Sequence, residues 1–178
     1  MRDWNVVATI HDGGFRRACR LLSLEGELSR TEFYNVVVMK VLDVEAFLGR
    51  LEKLWSESRT YPIVVAHIRP VREMFHFQSP EEFEDKARDL ALSLADGLGG
   101  KSFHVRIHRR GFKGRTSTKE EERLLADAIL DRLSQSGAPA RVAFDDPDAV
   151  LAVDTVGDRA GLSLWTRDDL GRYPFLGL

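Results

Sequence analysis

A stretch of basic residues near the middle of the chain is the feature most capable of chemistry. Residues 101–119 contain seven Lys and Arg side chains and no Asp or Glu. These seven are Lys101, Arg106, Arg109, Arg110, Lys113, Arg115 and Lys119. The rest of the chain holds 19 basic residues against 28 acidic ones, so the net charge of −2 conceals the local excess. Such a concentration of cations on an acidic protein is typical of a surface that binds a polyanion.

The elements around this stretch are expected to bring the cations together. Alternating polarity predicts a strand over Phe103–Arg110, with Phe103, Val105 and Ile107 facing the core. The opposite face then carries His104, Arg106, His108 and Arg110, while Arg109 falls at the end of the apolar face. A glycine-containing loop over 111–116 leads to a helix whose first amides would suit a phosphate. The alternative is a solvated strand edge on which charges prevent aggregation.

Motifs for catalysis or metal binding are not predicted. Cys19 is the only cysteine, and no histidine spacing suits a metal site; His104 and His108 would lie ~13 Å apart along a strand. Gly13-Gly14 is not part of a dinucleotide-binding fingerprint. We therefore expect no catalytic residue, metal or cofactor. With neither a signal peptide nor a long apolar run, we expect a cytoplasmic protein that does not enter a membrane.

The first half of the sequence alternates strand and helix patterns. Strands are predicted at Trp4–Ile10, around Val36–Met39 and at Tyr61–Arg69, and helices are predicted after Asp12 and Asp43. This order predicts a small ferredoxin-like α/β unit. The fold requires a further strand between its helices, and only a weak pattern around Leu28–Thr31 supplies it.

The second half carries a resemblance to a known family. A helix starts at Ser79-Pro80, a strand precedes the basic loop, and a helix over Ser117–Leu133 follows it. A short strand at Arg141–Phe144, the turn Asp145-Asp146-Pro147-Asp148 and a further strand then follow. In this order the segments resemble a THUMP domain. Ile68-Arg69-Pro70-Val71 is similar to the entry into this domain in stand-alone THUMP proteins of the THUMPD type.

The resemblance implies an α+β fold class, in which a ferredoxin-like α/β unit is followed by a THUMP α/β domain. The expected boundaries are 1–72 for the first unit, 73–170 for the THUMP domain and 171–178 for a C-terminal tail. THUMP domains bind structured RNA, chiefly tRNA, and deliver it to a modifying domain. Carried onto this chain, the RNA-binding residues would be Arg106, Arg109, Arg110, Lys113, Arg115, Lys119 and Arg141.

The resemblance further implies a non-catalytic adaptor in tRNA modification and processing, because the chain ends at Leu178 without a modifying domain. The partner it suggests is the tRNA N4-acetylcytidine acetyltransferase. One alternative is the RNA-binding subunit of a split methyltransferase or thiolase, and another is a module that binds an acidic protein. We expect Arg110→Ala combined with Lys113→Ala to weaken tRNA binding without lowering thermal stability.

Overall fold

The chain forms two compact units. A computed structural model describes residues 3–111 and 117–178. One unit comprises Met1–Val71 with Leu170–Gly177, and the other comprises Arg72–Asp169 with Leu178. The division therefore falls between residues 71 and 72, whereas the predicted boundary lies after residue 72. The assignment of a separate role to each unit stays a prediction.

The first unit has the strand and helix order of a ferredoxin-like fold. Its elements are β1 (Val6–Ile10), α1 (Phe15–Leu22), β2 (Glu27–Arg30), β3 (Val36–Lys40), α2 (Val44–Glu57), α3 (Thr60–Val64) and β4 (Val65–Pro70). The sheet order is β2-β3-β1-β4, and all neighbours are antiparallel. The weakly indicated strand is thus present as β2, which pairs with β3 from Glu27↔Lys40 to Arg30↔Val37. None of its residues is fully buried, so it lacks a clear apolar alternation.

The C-terminal residues belong to the core of the first unit. After α6 (Arg167–Arg172), a short 3-10 helix spans Pro174–Leu176. The Phe175 side chain is fully buried, and its ring lies 5.4 Å from that of Trp55. The buried guanidinium of Arg69 donates a hydrogen bond of 3.1 Å to the carbonyl of Leu176. The segment predicted as a tail is therefore packed, because its apolar side chains cover the first sheet.

The second unit contains a five-stranded mixed sheet. Its remaining elements are β5 (Glu73–His76), α4 (Pro80–Leu94), a 3-10 helix (Ala95–Leu98), β6 (Ser102–His108), α5 (Thr118–Gln135), β7 (Arg141–Val142), β8 (Ala149–Val156) and β9 (Arg159–Thr166). The strand order is β5-β9-β8-β6-β7. Strand β6 is parallel to both β7 and β8, whereas the other pairs are antiparallel.

Local sequence signals explain where the helices of the second unit begin and what they bury. The hydroxyl of Ser79 accepts a hydrogen bond from the Glu82 amide and caps α4, as the sequence predicts. Apolar side chains of α4 and α5 pack with the inner face of the sheet in one core. Among the helices in the described part of the chain, none is long and apolar enough to cross a membrane.

Candidate nucleic-acid interface

Strand β6 separates core side chains from surface side chains, as its alternating sequence predicts. Phe103, Val105 and Ile107 are buried. On the opposite face Arg106 is exposed and His104 is half-buried. Strand β7 pairs with β6 only at Ser102 and Phe103. The edge of β6 on the side of β7 is therefore paired with no other described strand beyond these residues.

A surface groove of about 480 Å³ lies along this edge. It is bounded by β6, by the first half of α5, and by the segment that contains β7 and the two residues after it. The lining includes three cations (Arg106, Lys119 and Arg123), two acids (Glu122 and Asp127) and two exposed apolar side chains (Val142 and Phe144). Cations and an exposed ring in one groove are the combination that single-stranded nucleic acids bind.

The exposed ring is that of Phe144, whose side chain is 78% exposed. Its centroid lies 5.8 Å from the imidazole of His104, with an angle of 30° between the planes. The backbone beside it is fixed, because the Ala143 amide donates a 2.9 Å hydrogen bond to the carbonyl of Phe103. His104 Nδ1 also lies 3.2 Å from the Ala143 carbonyl. The two rings thus form a positioned surface on which a base could stack.

A tight turn fixes the segment that follows Phe144. The Asp148 carboxylate accepts hydrogen bonds from the Ser102 amide at 2.8 Å and from its hydroxyl at 2.7 Å. These bonds lower the pKa of Asp148, the amide bond first, and the charge of Arg167 acts in the same direction. Arg167 also forms ion pairs with Asp146 and Asp148 at 3.2 and 3.1 Å. The turn therefore joins the start of β6 to the start of β8 and holds Phe144 in place.

Both acids of the groove, Glu122 and Asp127, interact with other groups of the protein. Glu122 accepts a hydrogen bond of 2.8 Å from the amide of Ile107, on the edge of β6 that β7 does not cover. Asp127 forms an exposed ion pair of 3.5 Å with Arg123, one turn earlier on α5. Exposed pairs of this kind contribute only ~0–1 kcal/mol, so a phosphate could displace Asp127 at little cost. Arg106 and Lys119 are exposed.

Arg109 is held inside the second unit. Its guanidinium forms an ion pair with Glu121, and the two side chains are 12% and 3% exposed. It also lies over the ring of Phe83, 5.9 Å from the centroid. Burial lowers the pKa of Arg109. Ser117 and Glu120 have the spacing of a capping box, but the side chain of Ser117 makes no capping hydrogen bond, and the neighbouring Glu121 pairs with Arg109.

Arg110 is held in the same way by a different acid. Its Nη1 lies 2.7 Å from Oδ1 of Asp154, and the side chains are 13% and 2% exposed. Its amide donates a 2.8 Å hydrogen bond to the Thr155 hydroxyl, and its carbonyl accepts one of 2.9 Å from Gly157. Arg109 and Arg110 thus anchor the end of β6. A role for either in binding RNA stays a prediction.

The structure therefore divides the seven residues assigned to RNA binding into three groups. Arg106, Lys119 and Arg141 have exposed side chains, and the first two line the groove. Arg109 and Arg110 are paired with buried acids. Lys113 and Arg115 lie outside the described residues.

Sequence reasoning did not single out Phe144 or Arg123 as binding residues. A phenylalanine in a short predicted strand carries no signal of its exposure, since apolar strand residues are ordinarily interpreted as core. Arg123 lies beyond the basic stretch, among acidic residues of α5. Within residues 3–111 and 117–178, no cluster of His, Cys, Asp and Glu side chains has the arrangement of a metal site.

Comparison with known proteins supports the fold. No protein-family model and no curated protein matches the chain. Among solved structures, TrmN from Thermus thermophilus matches with 24% identity and a TM-score of 0.62, over 91% of this chain and 45% of that one. PH1313 from Pyrococcus horikoshii matches with 12% identity and a TM-score of 0.59, over 92% and 55%. A 4-thiouridine synthetase in complex with RNA and ATP matches with 13% identity and a TM-score of 0.55, over 92% and 42%.

These similarities extend across both units. The chain spans only about half of the length of these solved structures, with shares of 55%, 45% and 42%. Together with the two sheets, they confirm the predicted fold class. The chain has an α+β fold, in which a ferredoxin-like unit is followed by a second α/β unit.

Proposed function

We propose that this chain is an RNA-binding module that uses the groove beside β6 to hold unpaired nucleotides of a structured RNA. The observation that carries the proposal is the 78% exposed ring of Phe144, fixed beside His104 within a groove that also contains Arg106, Lys119 and Arg123. Bases stack on such a ring whatever their sequence, while the cations neutralise the phosphates. Binding by the groove is therefore expected to depend on salt and on the aromatic ring.

The similar solved structures support RNA as the ligand. One of them is a 4-thiouridine synthetase that was solved with RNA bound, and it matches 92% of this chain. The THUMP resemblance adds tRNA as the class of RNA. We propose tRNA as the natural ligand and tRNA modification as the process that this chain serves.

We assign binding to this chain and the chemical step to a separate domain or protein. The groove holds cations, a histidine and an aromatic ring, which suits holding RNA. The chain also corresponds to only about half of each similar structure. An adaptor that presents tRNA to a modifying enzyme fits both observations. The resemblance suggests the N4-acetylcytidine acetyltransferase as the enzyme, and a methyltransferase or thiolase subunit is the alternative partner.

The test is the substitution Phe144→Ala, with binding measured by fluorescence anisotropy on a labelled five-nucleotide single-stranded RNA and on tRNA. Loss of one base–aromatic stacking contact costs about 1–3 kcal/mol, so we expect the affinity for the single strand to fall roughly 5- to 150-fold. Phe144→Tyr keeps the ring and is expected to keep the affinity. Because the side chain is mostly exposed, the melting temperature is expected to stay the same.

Leu24→Ala is the matched control, because Leu24 is also an exposed apolar side chain and is likewise 78% exposed. It lies in the first unit, outside the groove, and its removal should leave RNA binding unchanged. Equal affinities of the wild-type and Phe144→Ala proteins for the single strand would contradict the proposal. Salt-sensitive binding to an acidic protein but not to RNA would favour the protein-interaction alternative.

A further inference from the structure

A second surface groove, which contains none of the proposed RNA-binding residues, lies at one end of the first sheet. Its volume is about 780 Å³, within the range of ligand-binding clefts. It is bounded by the turn between α1 and β2, by the start of β2, by the segment that joins β3 to α2, and by Arg50 of α2. All of its lining residues belong to the first unit. We call it the leucine groove, because Leu24, Leu28 and Leu42 line it.

Two of these leucines face solvent. Leu42 is fully exposed and Leu24 is 78% exposed, whereas Leu28 is half-buried. Leu42 directly precedes Asp43, the N-cap of α2, and an apolar residue at this position often packs against the fourth residue of the helix. Here the fourth residue is Phe47, which is completely buried, and the fully exposed Leu42 does not pack against it. The stability of α2 therefore does not explain a leucine at position 42.

The backbone that carries Leu42 is fixed on both sides. The side-chain amide of Asn5 donates a hydrogen bond of 2.9 Å to the carbonyl of Val41, and its oxygen accepts one of 2.8 Å from the Val41 amide. On the other side, the Asp43 carboxylate accepts a hydrogen bond of 2.9 Å from the Ala46 amide. Binding to an ordered backbone avoids the free-energy cost of ordering a loop. Leu42 is thus preorganised for contact with another molecule.

The opposite wall of the leucine groove, which carries Leu24, is fixed as well. Glu25 forms an ion pair of 2.9 Å with Arg50, and the side chain of the acid is only 13% exposed. Gly26 brings the chain close to β3, because a Cβ at this position would lie 2.6 Å from the carbonyl oxygen of Lys40. The turn between α1 and β2 is therefore held against the end of β3. The two exposed leucines are kept in one groove.

The leucine groove carries an excess of negative charge. Its lining contains three acids and two cations. Both cations have acidic neighbours, since Arg50 pairs with Glu25, and Lys40 lies 3.8 Å from Asp3, which is outside the lining. In the part of the chain that the structure describes, no ion pair involves the exposed carboxylate of Glu27. This surface therefore attracts a lysine or arginine and repels the phosphates of an RNA.

A second copy of this chain is a poor match for the leucine groove. In a symmetric dimer the same surface of each copy meets itself, so the acids of one groove would face the acids of the other. Like charges brought together in this way oppose association. A partner that supplies both an apolar side chain and a cation avoids this repulsion.

We propose that the leucine groove binds a short segment of a partner protein in which an apolar side chain lies beside Lys or Arg. The apolar side chain packs between Leu24 and Leu42, and the cation pairs with Glu27. Burial of the two leucines supplies affinity, while the charges orient the segment and speed its association. This inference goes beyond the proposed function and does not depend on RNA binding, because the occupant is a protein.

The test uses twelve-residue peptides that are selected from a random library on the full chain and then synthesised with a fluorescent label. The selected peptides should contain an apolar residue beside Lys or Arg. Leu42→Ser removes an apolar side chain whose burial stabilises the complex, so the affinity measured by anisotropy should fall about 10-fold or more. Leu42→Met should keep most of the affinity. Glu27→Gln removes one charge and should make the affinity less sensitive to salt.

Ile63→Ser is the matched control, because Ile63 is an exposed apolar residue of the first unit outside the leucine groove. Since Leu42 and Ile63 are both exposed, neither serine variant should have a lower melting temperature than the wild type. Equal peptide affinities of the wild type and Leu42→Ser would overturn the inference, as would an equal loss in Ile63→Ser. A library that yields no peptide, or only peptides without Lys and Arg, would also overturn it.

Two further measurements distinguish the other occupants. We expect Leu42→Ser to leave both the sedimentation of the chain and its affinity for single-stranded RNA unchanged. A wild-type dimer that Leu42→Ser converts to a monomer would identify a second copy as the occupant, and a loss of RNA affinity would identify RNA; either result overturns the inference. Phe144→Ala should leave peptide binding unchanged, so the RNA-binding proposal and this one fail independently.

Discussion

Replacement of Arg110 by alanine tests whether this arginine is a structural or an RNA-binding residue. Its ion pair with Asp154 has a length of 2.7 Å, and the acid is 2% exposed. Removal of the guanidinium takes a close cation away from a buried carboxylate. Breaking a buried pair by removal of one partner costs about 3–5 kcal/mol. For a chain of this size that corresponds to a melting temperature lower by about 6–20 °C.

The measurement is urea and thermal unfolding of the wild-type and Arg110→Ala proteins, followed by circular dichroism. Asp154→Asn in the Arg110→Ala background removes the buried charge and should restore part of the loss. The double-mutant cycle of the wild type, Arg110→Ala, Asp154→Asn and the double variant should then yield a coupling energy between the two side chains of about 0.5–3 kcal/mol. This expectation differs from the one drawn from the charge pattern, in which loss of Arg110 leaves stability unchanged.

A wild-type melting temperature in Arg110→Ala would refute the structural argument, because it would mean that the pair contributes nothing to stability. RNA affinity measured well below the melting temperatures of both proteins addresses the other role. If Arg110 contacts RNA, the affinity falls although the variant is folded. If its role is to anchor the end of β6, the affinity stays close to that of the wild type.

Two further predictions concern the carboxylate of Asp148 and the glycines at positions 111 and 49. The hydrogen bonds from Ser102 lower the pKa of Asp148 in the folded state, so the stability that this carboxylate contributes is present above its ordinary pKa and is lost as the pH falls through the lowered value. Urea midpoints measured from pH 7 to about pH 3 should therefore decline less in Asp148→Asn than in the wild type. Parallel declines of the two proteins would contradict this. Gly111 has φ +102°, and a Cβ there would lie 3.1 Å from the Cα and carbonyl oxygen of Gly157. Gly111→Ala should therefore destabilise the protein by about 1–3 kcal/mol. Gly49 lies in open space on α2, so Gly49→Ala should stabilise the protein by about 0.5–1 kcal/mol. Unfolding in urea measures the sign of each change in the free energy of unfolding.

Much of the secondary structure could be predicted because its signals are local. The capping residues Asp43 and Ser79 mark the starts of α2 and α4, and both side chains make the expected hydrogen bonds. The alternation over 103–107 predicts which side of β6 faces the core. Strand β2 was difficult to predict because it lies at an edge of the sheet and none of its residues is fully buried, so period-two hydrophobicity is absent.

The candidate site was predictable only as a region. The basic stretch indicates where cations accumulate, since charge is a property of the sequence itself. It does not show which cations reach solvent. Phe144 is adjacent to His104 only because β7 lies parallel to β6, a pairing that joins residues about 40 positions apart. The aromatic ring of the groove is therefore a product of sheet topology.

The sequence by itself determined the order of most elements, the α+β class and the position of the basic stretch, because these depend on patterns within about 20 residues. The exception is α3 (Thr60–Val64), a short helix where the start of a strand is predicted. Tertiary structure alone decided which charges are neutralised. Residues 101–119 contain no acid, yet Glu121 from α5 and Asp154 from β8, 44 positions beyond Arg110, pair with two of their arginines. An ion pair depends on distance through space, and folding places acids beside cations that are remote from them along the chain.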